Sequence, residues 1–256
     1  MKKHRTSIRL IVLILLISGT EAHAQLGGLL KKAKDKAGEI IENKTGSKAD
    51  AGDHSKTAGK FIKGDSLIFA ENFSGAEKGV QSKFNGTVHI QSVPANSGKW
   101  LALQEKTTYK FAKAIRYPKR FSIEFDVLAT GEKIKDISPM SFGFATNNSS
   151  GEYTGNAGAY VEFHYYDGDQ VNFGNSSPKK YINSTFELAA YLNRRLHVAI
   201  VINGQQMTVF LDGRKIQDGI FFNPSATKNF YFTAPWSYNR DAKVLVSNIQ
   251  IYGFSK

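Results

Sequence analysis

The chain has 256 residues, a formal net charge of +12 and no cysteine, which rules out disulfides, thiolate metal sites and a lipid-modified cysteine. Its basic residues fall in separated pairs, such as Lys119-Arg120, Lys179-Lys180, Arg194-Arg195 and Arg214-Lys215. A nucleic-acid site uses a clustered patch, so no nucleic-acid partner is expected.

Residues 1–24 read as a secretory leader. Lys2, Lys3, Arg5 and Arg9 surround its start, an unbroken apolar run covers 10–17, and Ala22-His23-Ala24 supplies a small-x-small cleavage pattern. The run is shorter than the roughly 20 residues that a spanning helix needs. The chain is therefore expected to be exported, to the periplasm, the cell surface or the medium.

Leu26, Leu29, Leu30, Ala33, Ala37, Ile40 and Ile41 then recur at helical intervals, with lysines and glutamates mostly opposite. This predicts an amphipathic helix over 26–41, either a solvated tether or a contact for a membrane surface or partner protein. Residues 43–60 have no apolar period and read as linker. The expected division is 1–24 leader, 25–60 helix and linker, and 61–256 a β-sandwich domain.

All 18 Phe, 11 Tyr and 2 Trp lie from Phe61 onward. Short runs with period-2 alternation predict strands over 66–72, 87–91, 100–104, 109–115, 120–129, 141–145, 159–166, 170–173, 195–202, 207–211, 229–234 and 243–252. In 120–129, Phe121, Ile123, Phe125 and Val127 point one way and Ser122, Glu124 and Asp126 the other. Asn203-Gly204 and Asp212-Gly213 sit where two hairpin loops with positive φ belong. This pattern suits two packed antiparallel sheets.

The order of 64–69 (GDSLIF) running into 71–74 (ENFS), then 98–101 (GKWL), 121–126 (FSIEFD), 197–200 (HVAI) and 209–215 (VFLDGRK) resembles the concanavalin A-like, or laminin-G-like lectin/glucanase, jelly roll. It is similar in particular to the exported N-terminal region of Bacteroidetes OmpA-family proteins. The resemblance covers most of 25–256 and implies an all-β, two-sheet antiparallel jelly-roll sandwich. Its pieces are structural and carry no wall-anchoring role.

Glycosidases of this fold place two carboxylates on one strand, in laminarinase-type hydrolases as Glu-x-Asp-x-(x)-Glu. Glu124 and Asp126 share a face, but Leu128 and Ala129 stand where a second Glu is needed. The pair is read as non-catalytic. His89, His164 and His197 lie on separate predicted strands without ligand spacing. Asp167-Gly168-Asp169 offers two hard ligands and no nearby third acid, so it is read as a turn. No cofactor is expected, with calcium left open.

Tyr160, Glu162, His164 and Tyr166 occupy one face of their strand, opposite Val161, Phe163 and Tyr165. Aromatic rings beside hydrogen-bonding groups suit sugar recognition. Glu124 and Asp126 would join this surface if the two strands share a sheet. Trp236 and Tyr238 form a second candidate in a loop after Pro235. The plainer alternative is that the tyrosines merely cover a sheet and Trp236 plugs one end of the sandwich. The expected function is an exported non-catalytic module that binds glycan or another cell-envelope component. The alternative is a glycoside hydrolase or lyase with an atypical carboxylate site.

Overall fold

The computed structural model describes residues 59–75, 83–85, 88–93, 96–148 and 158–255. The expected leader, the helix over 26–41 and nearly all of the linker lie outside these residues.

Alternation builds the strands. In β6 (Arg120–Thr130), Phe121, Ile123, Phe125 and Val127 are buried between the two sheets. The partner strand β11 (Arg195–Asn203) sets Val198 opposite Phe125 and Ile200 opposite Ile123. Two tight hairpins follow. Gly204, at φ 60°, opens the loop between β11 and β12 (Gln206–Leu211), and Asp212 and Gly213, at φ 48° and 76°, form the loop before β13 (Arg214–Ile220). Positive φ at both central residues fits the right-handed strand twist, as the Asp-Gly pair predicts.

These strands belong to an eight-stranded antiparallel sheet. Its order continues from β13, β12, β11 and β6 to β15 (Lys243–Gly253), β4 (Asn96–Ala102) and β3 (Ile90–Val93). A bulge between Ser247 and Gln250 divides β15, so that its first half pairs with β4 and its second with the edge strand β1 (Ser66–Glu71).

The second sheet has seven antiparallel strands. They run β10 (Lys179–Thr185), β9 (Gln170–Ser176), β8 (Gly158–His164), β7 (Met140–Ala145), β14 (Asn229–Thr233), β5 (Thr108–Phe111) and β2 (Phe84–Asn85). The only helical pieces among the described residues are three short 3-10 turns. The chain is an all-β jelly-roll sandwich.

Aromatic rings join the sheets. Phe125 of β6 meets Phe142 of β7 at 5.1 Å and Phe232 of β14 at 4.9 Å, both edge to face. Phe163 of β8 packs on Phe142 in the same way, at 5.1 Å. Such contacts add to the burial of apolar area, which supplies most of the stability of a fold without disulfides. Phe125→Ala is expected to cost about 3–5 kcal/mol, measured as the change in urea-unfolding free energy. A loss below about 1 kcal/mol would show that Phe125 does not join the layers.

Candidate binding face

The core sets which side chains of β8 face outward. With Val161 and Phe163 buried against the other sheet, Tyr160, Glu162 and His164 must point to the outer surface of the seven-stranded sheet. Strand pairing then extends this face across β9 and β10. Glu162 stands opposite Asn172, which stands opposite Asn183; Tyr160 stands opposite Gly174, which stands opposite Tyr181.

Gly174 is the seat of the site. A Cβ placed there would lie 2.4 Å from the Tyr160 ring and hydroxyl, so any other residue would lift the ring. Tyr160 therefore lies across β9 toward Tyr181, whose side chain is 61 % exposed. Burial, then the Glu162 carboxylate and Tyr181, push the Tyr160 hydroxyl pKa up, which keeps it protonated.

Polar groups flank the rings. His164 Nε2 touches Glu162 Oε1 and lies 2.7 Å from Asn172 Nδ2, while Gln170 Nε2 donates to Asn172 Oδ1 at 3.0 Å. His164 Nδ1 lies 3.8 Å from Asp167 and has no hydrogen-bond partner. Beyond His164 the strand gives way to a 3-10 turn, Tyr165–Asp167. Tyr166 is thus 52 % exposed at the end of the face, with its ring 5.9 Å from that of His164. Asp167-Gly168-Asp169 forms the turn, with Gly168 at φ 83°. Among the described residues, no group of three or more His, Asp or Glu is placed to hold a metal ion.

The rest of the same sheet is different. Thr108, Lys110, Ser141, Tyr231 and Thr233 also point outward, yet all are buried. Lys110 donates to the Asn147 carbonyl at 3.1 Å, and Asn148 donates to the Phe111 carbonyl at 2.9 Å. The accessible part of the face is built by β8 and β10, with β9 between them contributing the partly exposed Gln170 while Asn172 is buried.

Glu124 and Asp126 do not join this surface. They lie on β6, on the outer face of the opposite sheet, because β6 pairs with β11 and β15 while β8 pairs with β7 and β9. There they are used structurally. Asp126 accepts from Asn248 at the β15 bulge at 2.7 Å and lies 3.0 Å from His197 Nδ1, while Glu124 lies 3.5 Å from His197 Nε2. Glu124 also holds Lys63, at 3.4 Å, in the segment that crosses this face before β1. Burial raises the Glu124 pKa, but His197 and Lys63 outweigh it and leave the carboxyl below its ordinary value. The hydrogen bonds to Asp126 and then Glu124 hold His197 charged, with a pKa raised to about 9.

The loop pair divides as well. Trp236 is 58 % exposed, with the Lys106 ammonium 4.7 Å from its ring centroid. Register places it at the end of the sheet where β8 runs into its turn, since Thr233 pairs with Ser141 and Ser141 with Glu162. Tyr238 is committed to the fold: its hydroxyl donates to the Leu103 carbonyl at 2.9 Å, its amide donates to Glu105 at 2.7 Å, and burial pushes its pKa up. It is withdrawn from the candidate site.

Sequence reasoning missed Gln170, Asn172, Gly174, Tyr181 and Asn183. The alternation of Val171 and Phe173 against Gln170, Asn172 and Gly174 was the available signal for β9. Tyr181 and Asn183 flank Ile182 in a strand otherwise composed of polar residues.

No family model and no curated protein matches the chain. Among solved structures, the chain is similar to the carbohydrate recognition domain of Emp46p in its potassium-bound form. The TM-score is 0.55 with 12 % identity, over 74 % of this chain and 97 % of that one. It is also similar to the VIP36 exoplasmic/lumenal domain in its Ca2+/Man3GlcNAc-bound form, at TM-score 0.52 and 9 % identity, over 73 % of this chain and 89 % of that one. A third likeness is the botulinum neurotoxin serotype D binding domain, at TM-score 0.51 and 12 % identity over 75 % of this chain. The chain spans about half of that structure, 48 % of its length. These likenesses show a lectin-like jelly-roll fold.

The His197 cluster has a pH signature. A pKa raised on folding means that its stabilisation is complete below about pH 6.5 and is lost as pH rises through about 9. Solvent screens this 39 % exposed ring, so the effect is expected to be about 1 kcal/mol. The stability gap between the native chain and His197→Gln should narrow by that amount from pH 6.5 to 9.5. A gap that stays constant would contradict the assignment.

Proposed function

We propose that this chain is an exported, non-catalytic module that binds glycan through the outer face of β8, β9 and β10. The observation that carries the reading is Tyr160 lying over Gly174 beside the exposed Tyr181, with Glu162 and Asn183 alongside and His164 and the buried Asn172 packed against them. Ring faces stack on sugar C–H groups, and carboxylate and amide groups match hydroxyls. A shallow, ring-paved surface of this kind offers area and hydrogen bonds without enclosing a scissile bond.

The fold likeness supports the same reading, since Emp46p is described as a carbohydrate recognition domain and VIP36 as bound to Man3GlcNAc. Export rests on the leader pattern of residues 1–24, and a cell-envelope glycan is the ligand class that an exported chain would meet. The resemblance to the exported region of Bacteroidetes OmpA-family proteins points the same way. Trp236 and Tyr166 are exposed at one end of the sheet, where a longer oligosaccharide would meet them.

Two sets of variants test the face. On a glycan array, Tyr160→Ala and Tyr181→Ala are each expected to weaken the best ligand by about tenfold, the scale of one lost aromatic contact. Gly174→Ala should weaken it as well by lifting the Tyr160 ring, with near-native circular dichroism. Binding that survives all three substitutions would sink the reading. Release of reducing ends from a bound polysaccharide, abolished by Glu162→Gln, would instead establish a hydrolase.

A further inference from the structure

A cavity opens at the edge of the sandwich, between β1 of one sheet and the end of β5 in the other. Its volume is about 390 Å³, within the range of small-molecule sites. The floor is apolar, made by Ile68 and Phe69 of β1, Phe111 at the end of β5, and Ile115 beyond it. The Phe69 and Phe111 rings are 4.5 Å apart, and Phe111 packs at 5.4 Å on Phe84, so the floor is continuous with the main core. Leu67, next to Ile68 on the same edge strand, is left exposed.

Cations line the rim. Lys83 is already neutralised by an ion pair with Glu71, a buried carboxylate that also accepts from the Phe73 amide at 2.6 Å. Lys113 and Arg116 line the same cavity, and neither makes an ion pair or hydrogen bond with another described residue. The cavity therefore combines an apolar floor with two positive charges that no described residue compensates.

That combination selects a particular ligand chemistry. An inorganic anion would satisfy the charges and leave the floor wet, while a neutral amphiphile would cover the floor and leave the charges unmet. We infer that the edge cavity binds a single-chain anionic amphiphile, an acyl carboxylate or alkyl phosphate. Its chain lies against Phe69 and Phe111, and its head lies between Lys113 and Arg116. The site is separate from the β8–β10 face and does not depend on the glycan reading.

Calorimetry on the full chain tests this, using dodecanoate and dodecyl phosphate below their micelle concentrations. The comparison ligands are decanoate, dodecyl maltoside, inorganic phosphate and phosphatidylglycerol vesicles. Dodecanoate should bind more tightly than decanoate by about fifteenfold, since each of the two extra methylenes is worth about fourfold in affinity when buried. Combining Lys113→Ala with Arg116→Ala should weaken dodecanoate by about tenfold without changing the melting temperature of the unliganded chain. Should that pair of changes unfold the chain, Arg116→Gln alone is expected to weaken it by about threefold. Tyr160→Ala should leave this binding unchanged. The inference is overturned if dodecyl maltoside binds as well as dodecanoate, or if inorganic phosphate binds as well as dodecyl phosphate. It also fails if vesicles bind while the monomeric amphiphiles do not.

Discussion

Phe125 packs edge to face on Phe142 and Phe232, and this contact between the two sheets governs what the surface can do. A strand has only two faces, so committing one set of alternate side chains to the core commits the other set to the outer face of the sheet. Phe163 locks onto the same cluster through Phe142. Tyr160, Glu162 and His164 are thereby forced outward together. A slip of one residue in β8 would bury Glu162 and His164 and expose Phe163, at a cost far above any local preference.

The two outer faces differ in how their polar residues are bonded and buried. On the eight-stranded sheet, Glu124 and Asp126 are bound to His197, Lys63 and Asn248, and the network pins both the entering segment and the β15 bulge. On the seven-stranded sheet, β7, β14 and β5 carry buried polar residues, as β9 does at Asn172, while β8 and β10 present rings and polar groups that solvent can reach. The difference between the enclosed acids of β6 and the exposed rings of β8 and β10 is therefore one of position. A carboxylate flanked by cations has its charge paired, whereas Tyr181 presents a largely open ring.

Much of this was legible in the sequence where one face alternates cleanly. Phe121, Ile123, Phe125 and Val127 marked β6, and Asn203-Gly204 with Asp212-Gly213 marked the two hairpins. The outward set on β8 followed from the same periodicity, up to Tyr166, where the 3-10 turn breaks it. What could not be read was long-range pairing. Nothing local to Glu124 or to Glu162 says that their strands lie in different sheets, because that depends on partners tens of residues away. The edge strand β10 escaped notice because an edge strand buries little and so needs few apolar residues. Gly174 was silent for a related reason: its role is the absence of a side chain beneath a ring from a neighbouring strand.

The most direct test of the central claim is a spectrum of the full chain with ring-labelled tyrosine, recorded as the best oligosaccharide from an array is added. The account expects the Tyr160 and Tyr181 ring signals to move together with a common dissociation constant, while those of the buried Tyr109 and Tyr165 stay fixed. Shifts confined to tyrosines away from β8 and β10, with Tyr160 and Tyr181 unmoved at saturation, would contradict it.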